Sequence, residues 1–231
     1  MLLICALIYV GFILLPQKDT VTLGEGAGPV VLVNPQSIPD HSTEDYYIIN
    51  NNIPGFTEED LKNITGEEYS ELDNLGRCGS AVALLDPSMM PTDKRGDISE
   101  IKPTGYKQAK YEGLIDFDPP YLYNRSHLIA YALTGQNANE KNLITGTHYM
   151  NSESMLYWEN QVIRLLHESD YHVLYRVTPY FKGRELVARG VEMEAYSVED
   201  QGRSVCFHVF VYNVQPGIEI DYKTGESKAL K

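Results

Sequence analysis

Positive charge is what this chain is short of. Nineteen Lys and Arg stand against 32 Asp and Glu, a formal net charge of −13 over 231 residues. Phosphate contacts are made by Lys and Arg, so a general nucleic-acid coat is excluded. Cysteine is scarce as well, and three residues give no disulfide framework. Cys78 and Cys206 lie in strand-like segments and read as two buried thiols, with a bond between them as the alternative; Cys5 lies in the first apolar run. His41, His148, His167, His172 and His208 are scattered and make no recognised zinc spacing. Internal repeats and low-complexity tracts are missing too. The apolar run from Leu2 to Leu15 falls short of the roughly 20 residues of a membrane span. Its length suits the core of a signal peptide or a short N-terminal anchor, although no basic residue precedes it.

What is present suits one globular domain with an N-terminal extension. A chain of this length can bury a sizeable core, and an apolar fraction of 43% supplies one. Residues 1–16 are expected to be the signal core or anchor. Residues 17–45, with six Gly and Pro and little periodicity, are expected to be a linker. The domain is expected over 46–222 and a frayed tail over 223–231. Within the domain, Tyr46–Ile49 reads as a strand, and Thr57 with Asp60 signs the start of a short helix through about Lys62. Gly76–Leu85 reads as a central strand and residues 86–110 as loop with one helical turn. A helix is predicted from about Ser152 to Glu168, because Met155, Val162, Ile163 and Leu166 recur at helical spacing. Strands follow at His172–Phe181, Glu185–Val198, Ser204–Val214 and Gly217–Tyr222, the weak alternation in Val187–Tyr196 being that of an antiparallel sheet. The expected fold class is therefore α+β.

Charge is unevenly placed. Residues 40–75 hold ten acids and one Lys, a net −9 that reads as a solvated surface. Residues 94–110 hold five basic residues (Lys94, Arg95, Lys102, Lys107 and Lys110) against two acids, a net +3. An otherwise acidic protein that meets a polyanion needs such a local positive lane, so these five are candidate substrate-binding residues.

The most informative stretch is Tyr123–Glu159, YNRSHLIAYALTGQNANEKNLITGTHYMNSESMLYWE. It reads as strand, loop, strand, helix. His127 and Arg125 lie on one face of the first strand, since alternate residues share a face. Asn151 opens the helix, and Glu159 falls in the middle of the helix's apolar face, where a carboxylate needs a cation or a hydrogen-bond partner. A neutral imidazole is well poised to accept a proton near pH 7. An amide oxygen suits a hard divalent cation, and Arg can grip a phosphate bidentately. Taken singly, each residue has a plainer use: a structural His, an N-cap Asn, a buried Arg–Glu pair. Spacing alone does not choose between these.

The residues Asn124-Arg125-Ser126-His127, Asn142, Asn151 and Glu159, in that order, resemble the DNA/RNA non-specific endonucleases with a ββα-metal (His-Me) finger, and within them the secreted bacterial streptodornase-like and DNA-entry nucleases. The resemblance implies a central, mainly antiparallel sheet with the strand–loop–strand–helix finger packed on one side. It implies a metal-dependent endonuclease acting on DNA, with RNA as a second substrate class, and a secreted or surface-anchored location. His127 would be the general base and Arg125 a catalytic, phosphate-gripping residue. Asn151 would be the ligand of Mg²⁺, for which Mn²⁺ could substitute. Glu159 would act on the metal through water, and Asn142 would be a secondary metal candidate. His148 stands where many relatives carry Arg and is a further substrate-binding candidate. No protein partner is implied. The competing expectation is a catalytically inactive ββα-metal domain that binds nucleic acid or a cell-surface partner; intact His127 and Asn151 favour the enzyme.

Overall fold

The computed structural model describes residues 38–230. The expected signal or anchor at 1–16, and all of the linker before residue 38, lie outside the described residues. The elements in chain order are β1 (Tyr46–Ile48), α1 (Glu58–Asn63), β2 (Glu67–Tyr69), β3 (Ala81–Leu85), β4 (Tyr123–His127), α2 (Tyr131–Thr134), β5 (Leu143–Thr147), α3 (Met155–Glu168), β6 (Val173–Tyr180), β7 (Gly190–Ser197), β8 (Cys206–Tyr212), β9 (Ile218–Asp221) and β10 (Glu226–Ala229). Six strands form one antiparallel sheet in the order β1-β8-β7-β6-β3-β2, and β4–β5 and β9–β10 are separate hairpins. The α+β class and the antiparallel sheet expected from the sequence are what the structure has.

The period-2 rule explains how the sheet is covered. On β7, Val191, Met193 and Ala195 enter the main core together with Val209, Val211 and Phe207 of β8. Helix α3 packs on that face through Met155, Trp158, Val162 and Leu166, all buried. The alternate residues Glu192, Glu194 and His208 are buried on the opposite face. That face is covered by the chain from the end of β1 through α1 to Ile64, whose Phe56 and Ile64 pack with Leu174 and Tyr196. Helix α1 begins with the predicted reciprocal cap: Asp60 N–H donates to Thr57 Oγ1 at 3.1 Å, and Thr57 N–H donates to Asp60 Oδ2 at 2.7 Å.

Several boundaries differ from the sequence reading. The Gly76–Leu85 strand is confined to β3: Gly76, at φ 76°, closes a turn from Asp73, and residues 77–80 return beside 70–73 with only isolated backbone bonds. The strand predicted from Glu185 starts only at Gly190. The short strand β2 carries no recognisable pattern. The expected frayed tail is ordered over its described residues, 223–230: β10 pairs with β9 through four register positions. Its tight turn at Gly225 sits so close to Gly105 that a Cβ there would fall 1.7 Å from a backbone oxygen, and with φ at 81° only glycine fits.

Candidate active site

The β4–β5 hairpin is joined to the sheet by one buried amide. Asn213, just past β8, accepts from Thr147 N–H at 2.8 Å. Its Nδ2 donates to the carbonyls of Thr145 at 3.0 Å and Ala188 at 2.9 Å. Beside it, Thr147 Oγ1 donates to the Val214 carbonyl at 2.6 Å. The sequence reading did not single out Asn213, because its partners lie far away in the chain. Within the hairpin His127 pairs with Leu143 and Arg125 with Thr145.

His127 is buried, and both ring nitrogens have partners of fixed chemistry. Nε2 lies 2.9 Å from the Asn137 carbonyl, which can only accept. Nδ1 lies 3.3 Å from Arg95 Nη2, which can only donate. These partners place the proton on Nε2 and make Nδ1 the acceptor, its lone pair engaged by Arg95 until that guanidinium moves. Burial, aided by the Arg95 charge and opposed by the carbonyls of Asn137 and Gln136, holds the His127 pKa below the ordinary value. The imidazole is therefore neutral at pH 7, the form a general base needs.

Arg125 has other partners than the expected phosphate. It donates to the carbonyls of Ser99 at 2.7 Å and Ile101 at 2.5 Å and to Tyr106 Oη at 3.2 Å, and its guanidinium lies 4.6 Å over the Tyr106 ring. It fastens the 94–110 loop, which delivers Arg95 to His127. The secondary metal role expected of Asn142 is likewise not what the geometry provides. Its Oδ1 accepts from Ile129 N–H at 2.8 Å and its Nδ2 donates to the Ile129 carbonyl at 3.0 Å, so both ends of the fully buried amide clamp the backbone two residues past His127.

Asn151 lies in a widened π-turn, Met150–Ser154, that leads into α3. Such turns re-aim side chains and recur at functional sites. Met150 N–H is capped by Thr147 Oγ1 at 3.0 Å, which ties the turn to the end of β5. Among the described residues the Asn151 amide makes no hydrogen bond. Glu159 is 7% exposed and also has no hydrogen-bond or salt-bridge partner among them; burial alone pushes its carboxyl pKa up to about 8. Three other buried polar atoms on this face, Ser154 Oγ, Trp158 Nε1 and Tyr175 Oη, are unpaired. A free amide oxygen, followed on the same helix by an uncompensated carboxylate, is a donor set that fits a hard divalent cation.

The remaining candidates are spread more widely. His148 stacks on Phe117 with ring centroids 4.9 Å apart. Arg95 reaches the site. Lys107 pairs with Glu226 at 2.9 Å, Lys110 lies 5.0 Å over the Tyr121 ring, and Lys94 and Lys102 are exposed. The thiols of Cys78 and Cys206 are both free.

A hairpin that presents a neutral His, packed beside a helix that opens on a free Asn, is the ββα-metal finger of nucleases. Residues 59–199 match the family model described as DNA/RNA non-specific endonuclease; the chain belongs to that family. Two solved structures share the fold over most of their length. NucA from Streptococcus agalactiae with magnesium bound is 26% identical, with a TM-score of 0.71, covering 84% of this chain and 91% of that one. The Sda1 nuclease with bound zinc is 25% identical, with a TM-score of 0.66, covering 81% and 96%. A deoxyribonuclease of Streptococcus dysgalactiae subsp. equisimilis is 34% identical over 110 residues, which is 46% of this chain and about a third (32%) of that protein.

Proposed function

We propose that this protein is a metal-dependent endonuclease that hydrolyses phosphodiester bonds of DNA, and RNA as a second class, without sequence preference. The observation that carries the reading is the tautomer of His127, whose proton is held on Nε2 by the Asn137 carbonyl and whose Nδ1 accepts from the Arg95 guanidinium. In this reading His127 takes the proton of the attacking water. Arg95, already at the imidazole, turns to the phosphate and stabilises its added charge. Arg125 positions the loop that carries Arg95, Asn142 holds the backbone beyond His127, and His148 with Phe117 touches the substrate next to the scissile bond. Asn151 would hold Mg²⁺, or Mn²⁺ in its place, with Glu159 assisting through water. The cation, when bound, supplies electrostatic stabilisation of the phosphoryl group and the leaving oxygen.

The apolar run at Leu2–Leu15 supports action outside the cell, with the protein either released or anchored through that run. The deciding experiment is degradation of supercoiled plasmid and of a structured RNA, with Mg²⁺ and with EDTA. Cleavage that needs the metal and is lost in His127→Ala is expected. Binding of nucleic acid without cleavage under every metal tested would show an inactive module instead.

A further inference from the structure

The face of the sheet opposite α3 carries a buried polar network that the nuclease chemistry does not use. His208 Nδ1 lies 3.0 Å from the Ile53 carbonyl; Nε2 lies 2.5 Å from Glu192 Oε1 and 3.7 Å from Glu194 Oε1. Glu194 also accepts from Arg176 Nε at 2.6 Å and from Gly55 N–H at 2.6 Å. With acceptors on both sides of its ring, His208 satisfies them only as the doubly protonated imidazolium. The charges then balance: two carboxylates against Arg176 and His208. The ligand-type atoms of Glu192, Glu194 and His208 lie within 4.8 Å of one another. A divalent ion there, beside Arg176, would leave buried positive charge in excess, whereas one proton does not.

What this network holds is a strap, residues 45–64. Asn52 Oδ1 accepts from His208 N–H at 3.0 Å, and Ile49 N–H donates to the His208 carbonyl at 2.9 Å. Phe56 sits under the Arg176 guanidinium, 4.7 Å away. Gly55 approaches so closely that a Cβ would stand 3.3 Å from Glu194 Oε1. The strap also contains Asn50, Asn51 and Asn52 at φ 45°, 53° and 65°. Three successive L-residues in the left-handed region persist only where their surroundings over-determine them. At its other end the strap reaches the active-site helix. Asp45 accepts from Tyr149 Oη at 2.9 Å, two residues before Asn151, and the Tyr46 ring meets Trp158, the neighbour of Glu159, at 5.1 Å.

We propose that His208 is a positioning residue: in its charged form it latches the strap to the sheet, and the strap, through Asp45 and Tyr46, fixes the start of the helix that carries Asn151 and Glu159. The functional value of that fixing rests on the metal-site reading above; the latch does not.

The charged groups that face His208 are Glu192 and Glu194 of β7 and, beyond Glu194, Arg176 of β6; Glu59 and Asp60 of α1 and Glu68 of β2 line the cleft over Arg176. Residues 49–56 of the strap carry no charge. Burial opposes protonation of His208, but the Glu192 hydrogen bond, the two carboxylate charges and the Ile53 carbonyl outweigh it and raise the pKa above the ordinary histidine value. A raised folded pKa gives stability that is complete below the unfolded value of about 6.5 and is lost as pH rises through the folded one.

The test is hydrogen–deuterium exchange of the full chain in EDTA between pH 6 and 9, read on peptides of residues 45–64 and corrected for intrinsic exchange. Alongside it, the fluorescence of Trp158, the single tryptophan, reports its contact with Tyr46. In the wild type, strap opening is expected to rise by up to tenfold per pH unit between about 6.5 and the folded His208 pKa and to level off above it, with Trp158 becoming more accessible to acrylamide in step. Glu192→Gln should end the rise at lower pH and make it smaller, and His208→Gln should open the strap at every pH. If His208→Gln does not fold, Glu192→Gln alone decides. A strap whose protection is flat with pH, or equal in the wild type and Glu192→Gln, overturns the latch. Strap opening with no change at Trp158 overturns its hold on the helix. Neither readout involves nucleic acid, so loss of the nuclease reading would leave both interpretable.

Discussion

The two faces of the central sheet both bury carboxylates, and they treat them in opposite ways. Beneath the strap, Glu192 and Glu194 meet His208 and Arg176, and the hydrogen bonds close on themselves. Beneath α3, Glu159 is equally buried and has no partner among the described residues, while Tyr175 Oη, Trp158 Nε1 and Ser154 Oγ around it stay unpaired. A compensated buried network holds structure together. An uncompensated one costs stability and is tolerated where something must bind. By this contrast the network of Glu192, Glu194 and His208, despite its ligand-like spacing, has the character of a structural centre.

The sharpest way to break this contrast is on the chemical side. His127→Ala should lower kcat by about 10²–10⁴ with the far-ultraviolet CD unchanged, because the base is lost while its pocket remains. Retention of a tenth of the wild-type rate in the plasmid assay would remove His127 from that part. Asn151→Ala should weaken activity and shift its Mg²⁺ dependence to higher concentration, and Asn151→Asp should be damaged too, since added negative charge blunts the cation's pull. A Mg²⁺ titration that superimposes on the wild type in both variants would place the metal away from the π-turn.

On the structural side the expected losses are of stability. Arg176→Ala leaves Glu194 buried with one cation fewer and removes the contact with Phe56, so unfolding should become easier by about 3–5 kcal/mol. Glu159→Gln should do the reverse in EDTA, stabilising the fold by about 1–2 kcal/mol at neutral pH while activity falls. The sign follows from burial. A carboxyl raised from 4.5 to about 8 is protonated in the fold but ionised in the unfolded chain between those values, so it destabilises there and not below pH 4.5. Urea midpoints at pH 4 and pH 8 check this; a gain from Gln that is the same at both would mean that desolvation of the carboxylate is not the cause.

How far the sequence carries the contrast depends on the range of the interactions. The candidate site is readable because His127, Asn142, Asn151 and Glu159 sit in a stretch of fewer than forty residues whose order resembles that of a known family, while the apolar spacing sets only strand and helix. The capping box of α1 is local in the same sense. The strap network is not readable. His208 looks like any strand histidine until Ile53, 155 residues away, and Glu192 are brought to its ring. Asn213 and the partners of Arg125 fail to show for the same reason; β10 fails for another, since its Glu-Ser-Lys-Ala has no strand pattern and is ordered by its local hairpin partner. Asn142 shows the converse. Its place in the sequence matches a functional position, yet only the geometry reveals that both amide atoms hold backbone.

The smallest effects are expected within the basic segment 94–110, where the structure divides five similar charges into unequal parts. Arg95 touches the imidazole, so Arg95→Ala should cost more than any lysine change in the segment. Lys107 is already paired with Glu226 at an exposed site, and such pairs contribute about 0–1 kcal/mol. Lys107→Ala should therefore leave stability unchanged and reduce activity on long DNA by less than twofold. Lys94 and Lys102 are exposed and lack a salt-bridge partner among the described residues; reversing both should raise KM a few-fold and flatten the salt dependence, since each lost phosphate contact removes about 0.9 from the slope of log K against log salt. The measurement is kcat/KM on long duplex DNA from 50 to 200 mM salt for each variant. If Lys107→Ala weakens binding as much as the Lys94 and Lys102 pair does, the polyanion displaces Glu226 and the lane runs along the β9–β10 hairpin. If no lysine variant changes the slope, Arg95 alone meets the phosphate and the positive segment is solvated surface.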